Sequence, residues 1–163
     1  MKFTHTTDYP GTRQAVTEML RNPSYYRQRW AFLDSDPVVD INESDTSIRV
    51  SSTLNVSEHN LEQLANMLNS GLSLKIMEIW DKDETGLITK GTLSAAMAGV
   101  PVKAGASVAL SNKKHTPQRT KAQFRGNVTC TVPIIGGGVE KAILKQFDAA
   151  MQREQDIAKE FLQ

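Results

Sequence analysis

Apolar and polar residues alternate with two different periods at the start of the chain. Residues 2–9 alternate with period two, which predicts a strand with Phe3 and His5 on the same face. Over residues 13–22 the apolar positions recur every three to four residues, as they do in an amphipathic helix. A second short helix is predicted over residues 24–33. The chain therefore begins with a strand and two short helices.

Strand periodicity dominates the middle of the sequence. One interruption is predicted, a helix over residues 57–71 that starts at Ser57 and ends at Gly71. Turn residues separate the other segments and indicate two hairpins. The predicted strands are residues 38–42, 46–56, 73–80, 86–97, 103–112 and 119–132.

The last segment, residues 138–162, has apolar residues at helical spacing, among them Phe147 and Met151. An amphipathic helix of this length needs an apolar surface to cover its stripe, and the inner face of the sheet is the large one available. The pattern predicts an α+β fold. A curved antiparallel sheet of about seven strands wraps around a long C-terminal helix, with two short helices after the first strand.

Four stretches carry a resemblance to a known superfamily: "MEIW" at 77–80, "GTLSAAMAGVP" at 91–101, "FRGNVTCTVPIIGGGVEKAI" at 124–143, and the acidic, amphipathic end of the last helix. With this order of elements, the chain resembles the helix-grip fold of the START-like (SRPBCC) superfamily, more narrowly an uncharacterised actinobacterial branch. Lipid-transfer, plant-allergen and polyketide-cyclase proteins belong to that superfamily. The resemblance implies a cavity between sheet and helix for an apolar ligand.

Composition narrows the function classes. The 163 residues suit one domain, residues 1–163, and 19 basic against 18 acidic side chains give a net charge of +1. This balance argues against a dedicated nucleic-acid partner. Cys130 is the single cysteine, so no internal disulfide can form. No apolar run approaches the roughly 20 residues of a membrane span. We expect a cytoplasmic protein without integral membrane association; the oligomeric state stays open.

The glycine run at residues 136–138 raises the question of a phosphate site. A P-loop requires a Lys and a hydroxyl residue after its last glycine, and a dinucleotide fingerprint requires a βαβ unit. Here Val139 and Glu140 follow, and Glu140 places a negative charge in the first helical turn. The run therefore predicts a tight corner between strand and helix, and no nucleotide cofactor.

The segment "DKDETG" at residues 81–86 imitates the start of a calcium loop. An EF-hand also needs a carboxylate at the twelfth position, which is Thr92 in this chain. We therefore predict a polar hairpin turn and no metal site.

Two titratable residues fall near the expected cavity. His5 shares a strand face with apolar residues, whereas the orientation of Glu78 stays open because Ile76 and Trp80 on one side are matched by Met77 and Ile79 on the other. If Glu78 points inward, burial would raise its pKa.

We expect an apolar or amphipathic, lipid-like molecule to bind between the sheet and the last helix. No catalytic residue is assigned. The expected cavity residues are the inward-facing positions His5, Glu78, Trp80, Leu93, Ala95, Met97, Val108, Phe124, Val128, Ile143, Phe147 and Met151.

Two other functions fit the sequence. One is a cyclase or aromatase type of enzyme that acts on a hydrophobic ligand, with His5 and Glu78 as proton-transfer groups. The other is a protein-interaction module without a ligand, whose contact surface would be four aromatic residues of the second helix, Tyr25, Tyr26, Trp30 and Phe32.

Overall fold

The computed structural model describes residues 1–56, 72–113 and 115–162. Within these residues the chain forms seven strands and three helices. The strands are β1 (Lys2–Tyr9), β2 (Val38–Glu43), β3 (Ser47–Val56), β4 (Leu72–Lys82), β5 (Ile88–Met97), β6 (Val102–Lys113) and β7 (Thr116–Cys130). The helices are α1 (Arg13–Leu20), α2 (Pro23–Trp30) and α3 (Gly136–Leu162). The helix predicted over residues 57–71 lies outside the described residues.

The strands form one antiparallel sheet in the order β1-β7-β6-β5-β4-β3-β2. Successive strands are neighbours from β2 to β7, whereas β1 joins the far edge by pairing with β7. The inner face of this sheet carries α3, which packs against β7 and β1 as well as α1 and α2. The predicted α+β fold, a curved antiparallel sheet around a long C-terminal helix, is confirmed.

The predicted inner face of the last strand is confirmed. Phe124, Val128 and Cys130 are buried on β7, and Val132, just after the strand, is half-buried. On β3 the inward positions Ile48, Val50 and Leu54 are fully buried. This alternation of buried and exposed positions is typical of an antiparallel sheet covered on one face.

The two short helices begin with side-chain caps. Thr12 Oγ1 accepts a hydrogen bond from the Ala15 N–H at 3.1 Å and starts α1. Asn22 Oδ1 accepts from the Ser24 N–H at 3.0 Å, with Pro23 in the first turn of α2. Asn22-Pro23 thus begins α2 as well as separating it from α1.

The glycine run lies at the corner that the sequence predicted. A Cβ atom on Gly136 would stand 2.6 Å from the Cys130 carbonyl oxygen, so only glycine allows α3 to start this close to β7. The left-handed residue of the corner is Ile134, with φ 73°, rather than a glycine. The sequence predicted the position of the corner, and the structure adds that Ile134 has its left-handed backbone.

The calcium-like segment forms a hairpin turn between β4 and β5. Asp83 Oδ1 accepts hydrogen bonds from the N–H groups of Thr85 and Leu87, and Gly86 has φ 80°. Asp83 is therefore occupied as an acceptor within its own turn.

None of the helices in the described residues is both long enough and apolar enough to cross a membrane.

Candidate ligand cavity

A cavity of about 200 Å³ lies between the inner face of the sheet and α3. Its wall is mostly apolar and combines strand residues with one side of the helix. The sequence-predicted residues that line it are Glu78, Trp80, Leu93, Ala95, Met97, Phe124, Val128, Ile143, Phe147 and Met151. The fold thus brings residues from β4, β5, β7 and α3 around one space.

Small residues on β5 and β6 help to keep this space open. Ala95, Ala104 and Ala106 contribute short side chains to the wall. On β5, Gly91 makes room for the indole of Trp80, because a Cβ atom on this glycine would stand 2.5 Å from the Trp80 ring. Trp80 therefore packs closely against Gly91 of the neighbouring strand and forms part of the cavity wall.

Two expected cavity residues, His5 and Val108, are not in the wall. The ring of His5 lies 6.0 Å from those of Phe124 and Phe147, and its Nε2 is 3.1 Å from Thr7 Oγ1. Phe3, on the same strand face, packs 4.7 Å from Phe147 and lines the cavity instead. Burial lowers the pKa of His5.

Val108 is buried within the packed core. Its backbone lies between those of Gly91 and Phe124 in the sheet, and its side chain is 2% exposed. Unlike Val128, which is equally buried, Val108 is not part of the cavity wall. For His5 and Val108 the strand face was inferred correctly, but an inward face includes packed positions as well as cavity positions.

Glu78 points inward, which settles the ambiguity of β4. Its side chain is fully buried in the cavity wall, whereas Met77 is 39% exposed on the outer face. Glu78 Oε1 lies 2.9 Å from Arg29 Nη2 of α2, and both side chains are buried. Burial raises the pKa of Glu78, and the guanidinium of Arg29 opposes that rise.

A second buried carboxyl group, Glu154 of α3, faces the same cavity. Its side chain is 2% exposed. Glu154 Oε1 accepts hydrogen bonds from the hydroxyls of Tyr9 at 2.7 Å and Tyr25 at 2.5 Å. Burial raises the pKa of Glu154, and the hydrogen bonds from Tyr25 and Tyr9 oppose that rise. Glu154 Oε2 has no hydrogen-bond partner within the described residues.

Arg29 connects the two carboxyl groups. Besides Glu78, its guanidinium reaches the Tyr25 hydroxyl at 3.5 Å and lies 4.4 Å above the ring of Trp30. We call the set of Tyr9, Tyr25, Arg29, Glu78 and Glu154 the polar cluster; all five residues line the cavity. The site is therefore an apolar space with hydrogen-bonding groups gathered in one part of its wall.

Sequence reasoning found only one member of the polar cluster, Glu78. A signal for Glu154 was present, because it continues the helical spacing of Phe147 and Met151 and so places a carboxyl group on an apolar stripe. Tyr25 and Tyr26 were considered as a contact surface, but they are 1% and 0% exposed and belong to the core. Tyr25 and Tyr26 therefore offer no contact surface, whereas Trp30 and Phe32, the other two residues of the expected surface, are half-buried and line the cavity.

Residues 4–162 match the protein family described as "Protein of unknown function (DUF2505)", and the chain belongs to this family. No curated protein matches the sequence.

Solved structures share the fold across nearly the whole chain. A protein from Thermus thermophilus has 11% identity and a TM-score of 0.64, covering 99% of this chain and 97% of its own. The Zhui aromatase/cyclase from a Streptomyces species has 9% identity and a TM-score of 0.58, with coverages of 98% and 91%. A START superfamily protein from Mycobacterium smegmatis has 10% identity and a TM-score of 0.54, with coverages of 98% and 97%. The predicted START-like helix-grip fold is confirmed, and similarity at these identities shows the fold alone.

Proposed function

We propose that this protein binds a small, predominantly apolar molecule in the cavity between the sheet and α3. The observation that carries the proposal is the cavity itself, about 200 Å³ of space within an apolar wall. Packed interiors leave few voids larger than a water molecule. A space of this size is therefore typical of a binding site, and apolar walls favour an apolar occupant through the hydrophobic effect.

The volume limits the size of the bound group. An engineered protein cavity of about 150 Å³ with an apolar lining binds benzene, whereas drug-sized ligands occupy pockets of roughly 300–1,000 Å³. The cavity at about 200 Å³ therefore fits one ring or a short chain. A larger lipid or isoprenoid would extend beyond this volume.

Phe147 provides the test. Its side chain lines the cavity and is half-buried, so part of its ring faces space rather than packed atoms. A Phe-to-Ala change in a packed core costs about 3–5 kcal/mol. For Phe147→Ala we expect a smaller loss of unfolding free energy, because a cavity wall makes fewer dispersion contacts. Binding of an environment-sensitive apolar dye should change in the same variant.

Phe161→Ala is a matched control on the same helix. Phe161 is also half-buried, but it packs against Tyr25 with ring centroids 5.8 Å apart and does not line the cavity. This variant should lose stability and keep the dye affinity of the wild type. Failure of the folded wild type to bind any dye of a broad apolar panel would reject the proposal.

An enzyme of the cyclase or aromatase type is the second candidate. The observation in its favour is the pair of carboxyl groups at the cavity wall, Glu78 and Glu154, whose pKa values are raised by burial. Carboxyl groups of this kind can exchange protons nearer neutral pH than exposed ones. His5 is not in the wall, so the pair expected from the sequence is replaced by Glu78 and Glu154. Mass analysis of a ligand after incubation separates the candidates: a carrier returns it unchanged, and an enzyme converts it.

A further inference from the structure

Glu154 Oε2 is a buried acceptor atom in the wall of the cavity. The side chain is 2% exposed, and this oxygen lacks a hydrogen-bond partner within the residues that the structure describes. Buried polar atoms in folded proteins are hydrogen-bonded in the large majority of cases, because an unpaired one costs about 1–3 kcal/mol. An unpaired carboxyl oxygen beside an open space therefore requires an explanation.

The donors of the polar cluster are already used elsewhere. The hydroxyls of Tyr9 and Tyr25 both donate to the other oxygen, Oε1. The guanidinium of Arg29 approaches Glu78 at 2.9 Å. Among the described residues these donors therefore face other groups, and the cavity is the open side from which a donor can reach Glu154 Oε2.

Resting on the proposed function, we propose that the ligand carries a hydroxyl group that donates to Glu154 Oε2 while its apolar body fills the rest of the cavity. The ligand is thus an alcohol or a phenol of otherwise apolar character. Its hydroxyl would lie beside the polar cluster, and its body would contact wall residues such as Val128, Ile143 and Phe147.

Charge and hydration favour a hydroxyl over the other polar groups. A carboxylate would bring a third acidic group to a cluster in which one guanidinium already faces two carboxyl groups, Glu78 and Glu154. An ammonium is strongly hydrated, so its transfer into a mostly apolar wall is costly. An ether or a ketone cannot donate. A hydroxyl is neutral, small and able to donate.

Two isomers test the proposal, 4-ethylphenol and 4-methylanisole. They contain the same atoms and one ring, which suits a cavity of about 200 Å³. Only the phenol has an O–H group. Calorimetric titration of the wild type at pH 8 should show about two- to tenfold tighter binding of the phenol, since a net hydrogen bond contributes about 0.5–1.5 kcal/mol.

The Glu154→Gln variant tests whether Glu154 is the residue that causes tighter binding of the phenol. The Gln oxygen can keep the two tyrosine hydroxyls, and its amide nitrogen would stand where Oε2 was and donate to either isomer. We expect this variant to bind the two isomers with nearly equal affinity. Glu160→Gln makes the same chemical change at an exposed position of α3 and should keep the preference of the wild type.

The outcomes separate the inference from the proposed function. If neither isomer binds the wild type, the proposed function also fails for ligands of this size. If both bind equally, the cavity function stands and the hydroxyl assignment is overturned; an unchanged preference in Glu154→Gln overturns it as well. Should that variant not fold, a crystal structure of the wild type with 4-ethylphenol decides, because its hydroxyl oxygen must lie roughly 2.5–3.0 Å from Glu154 Oε2.

Discussion

Two glutamates attach the two ends of α3 to the rest of the protein in different ways. Glu140, in the first turns, accepts a hydrogen bond at 3.0 Å from the N–H of Cys130, ten residues away. Glu154, near the other end, accepts from the hydroxyls of Tyr25 and Tyr9, which are 129 and 145 residues away. The hydrogen bond from Cys130 is local in sequence, although Glu140 also pairs with the N-terminal ammonium group of Met1 at 3.4 Å. The contacts of Glu154 connect α3 to both β1 and α2.

Glu140 and Glu154 also differ in their exposure to solvent and in the direction of their pKa shifts. The Glu140 side chain is partly exposed, and the hydrogen bond from Cys130 lowers its pKa. Glu154 is buried, and that burial raises its pKa. Both oxygens of Glu154 line a buried region, but only Oε1 is hydrogen-bonded among the described residues. The carboxylate near the start of α3 therefore attaches the helix to the sheet. The carboxyl group near its other end keeps one oxygen without a hydrogen-bond partner beside the cavity.

The largest effect should come from removing the cation of the polar cluster. Arg29→Met leaves Glu78 as a buried carboxylate without its partner, which costs about 3–5 kcal/mol of unfolding free energy. Arg21→Met is the control, because Arg21 pairs with Glu18 and Glu43 in more exposed positions and such pairs contribute about 0–1 kcal/mol. Denaturant unfolding measures both. Equal losses would show that the Arg29 pair is no more important than a surface one.

The second-largest effect on stability should come from removing Glu154, with the removal of Glu140 as the comparison. Glu154→Ala leaves the hydroxyls of Tyr9 and Tyr25 without their acceptor in the core, and we expect a loss of about 2–3 kcal/mol in unfolding free energy. Glu140→Ala should cost clearly less, since water can reach the Cys130 N–H when the carboxylate is removed. A larger loss for Glu140→Ala would mean that the start of α3, and not the polar cluster, limits stability.

The difference between local and long-range contacts also explains which features of the protein could be predicted from its sequence. The strands, the two short helices and α3 follow from the periodicity of nearby residues, and the corner at Gly136 follows from a short run of letters. Glu140 was noticed for the same reason, because it lies in the first helical turn after the glycines. Local patterns were enough wherever both partners of a contact lie within one or two elements.

The polar cluster depends on contacts that no local pattern specifies. Glu78 stayed ambiguous because both faces of β4 carry apolar side chains, and only the pairing with Arg29 and the packing of Trp80 select the inner face. Glu154 was not identified although it lies on the apolar stripe of α3, since its partners Tyr9 and Tyr25 come from the opposite end of the chain. Its role becomes visible only when the sheet has closed around the helix.

The pH dependence of stability should differ in sign between the two glutamates. Folded Glu154 holds its proton at pH values where the unfolded chain, with a pKa of about 4.3, has lost it. The unfolding free energy of the wild type, relative to Glu154→Gln, should therefore fall as pH rises above about 4, by up to about 1.4 kcal/mol per pH unit.

Folded Glu140 loses its proton before the unfolded chain does, because its pKa is lowered. Relative to Glu140→Gln, the stability of the wild type should therefore rise with pH as the pH approaches and passes the unfolded value near 4.3. Denaturant unfolding of the three proteins between about pH 3 and 8 gives both differences. Parallel curves for the two variants would contradict the assignment of opposite environments.

The smallest effect concerns the corner before α3 and should leave the cavity untouched. The N–H of Ile135 donates to the carbonyl of Pro133 at 2.8 Å, which makes Ile134 the centre of a three-residue turn with φ 73°. A β-branched residue is strained in this conformation, and the Ile134 side chain is fully exposed, so it contributes no burial. Ile134→Gly should therefore raise the unfolding free energy by about 0.5–1 kcal/mol, the strain relieved less the entropy that glycine adds to the unfolded chain. Ile134→Ala keeps the Cβ atom and should gain less.

Denaturant unfolding measures both changes, and 4-ethylphenol should bind both variants as it binds the wild type, since Ile134 does not line the cavity. Equal stability of the Gly and Ala variants would show that the backbone at Ile134 is not strained, and a change in affinity would show that the two ends of α3 are coupled.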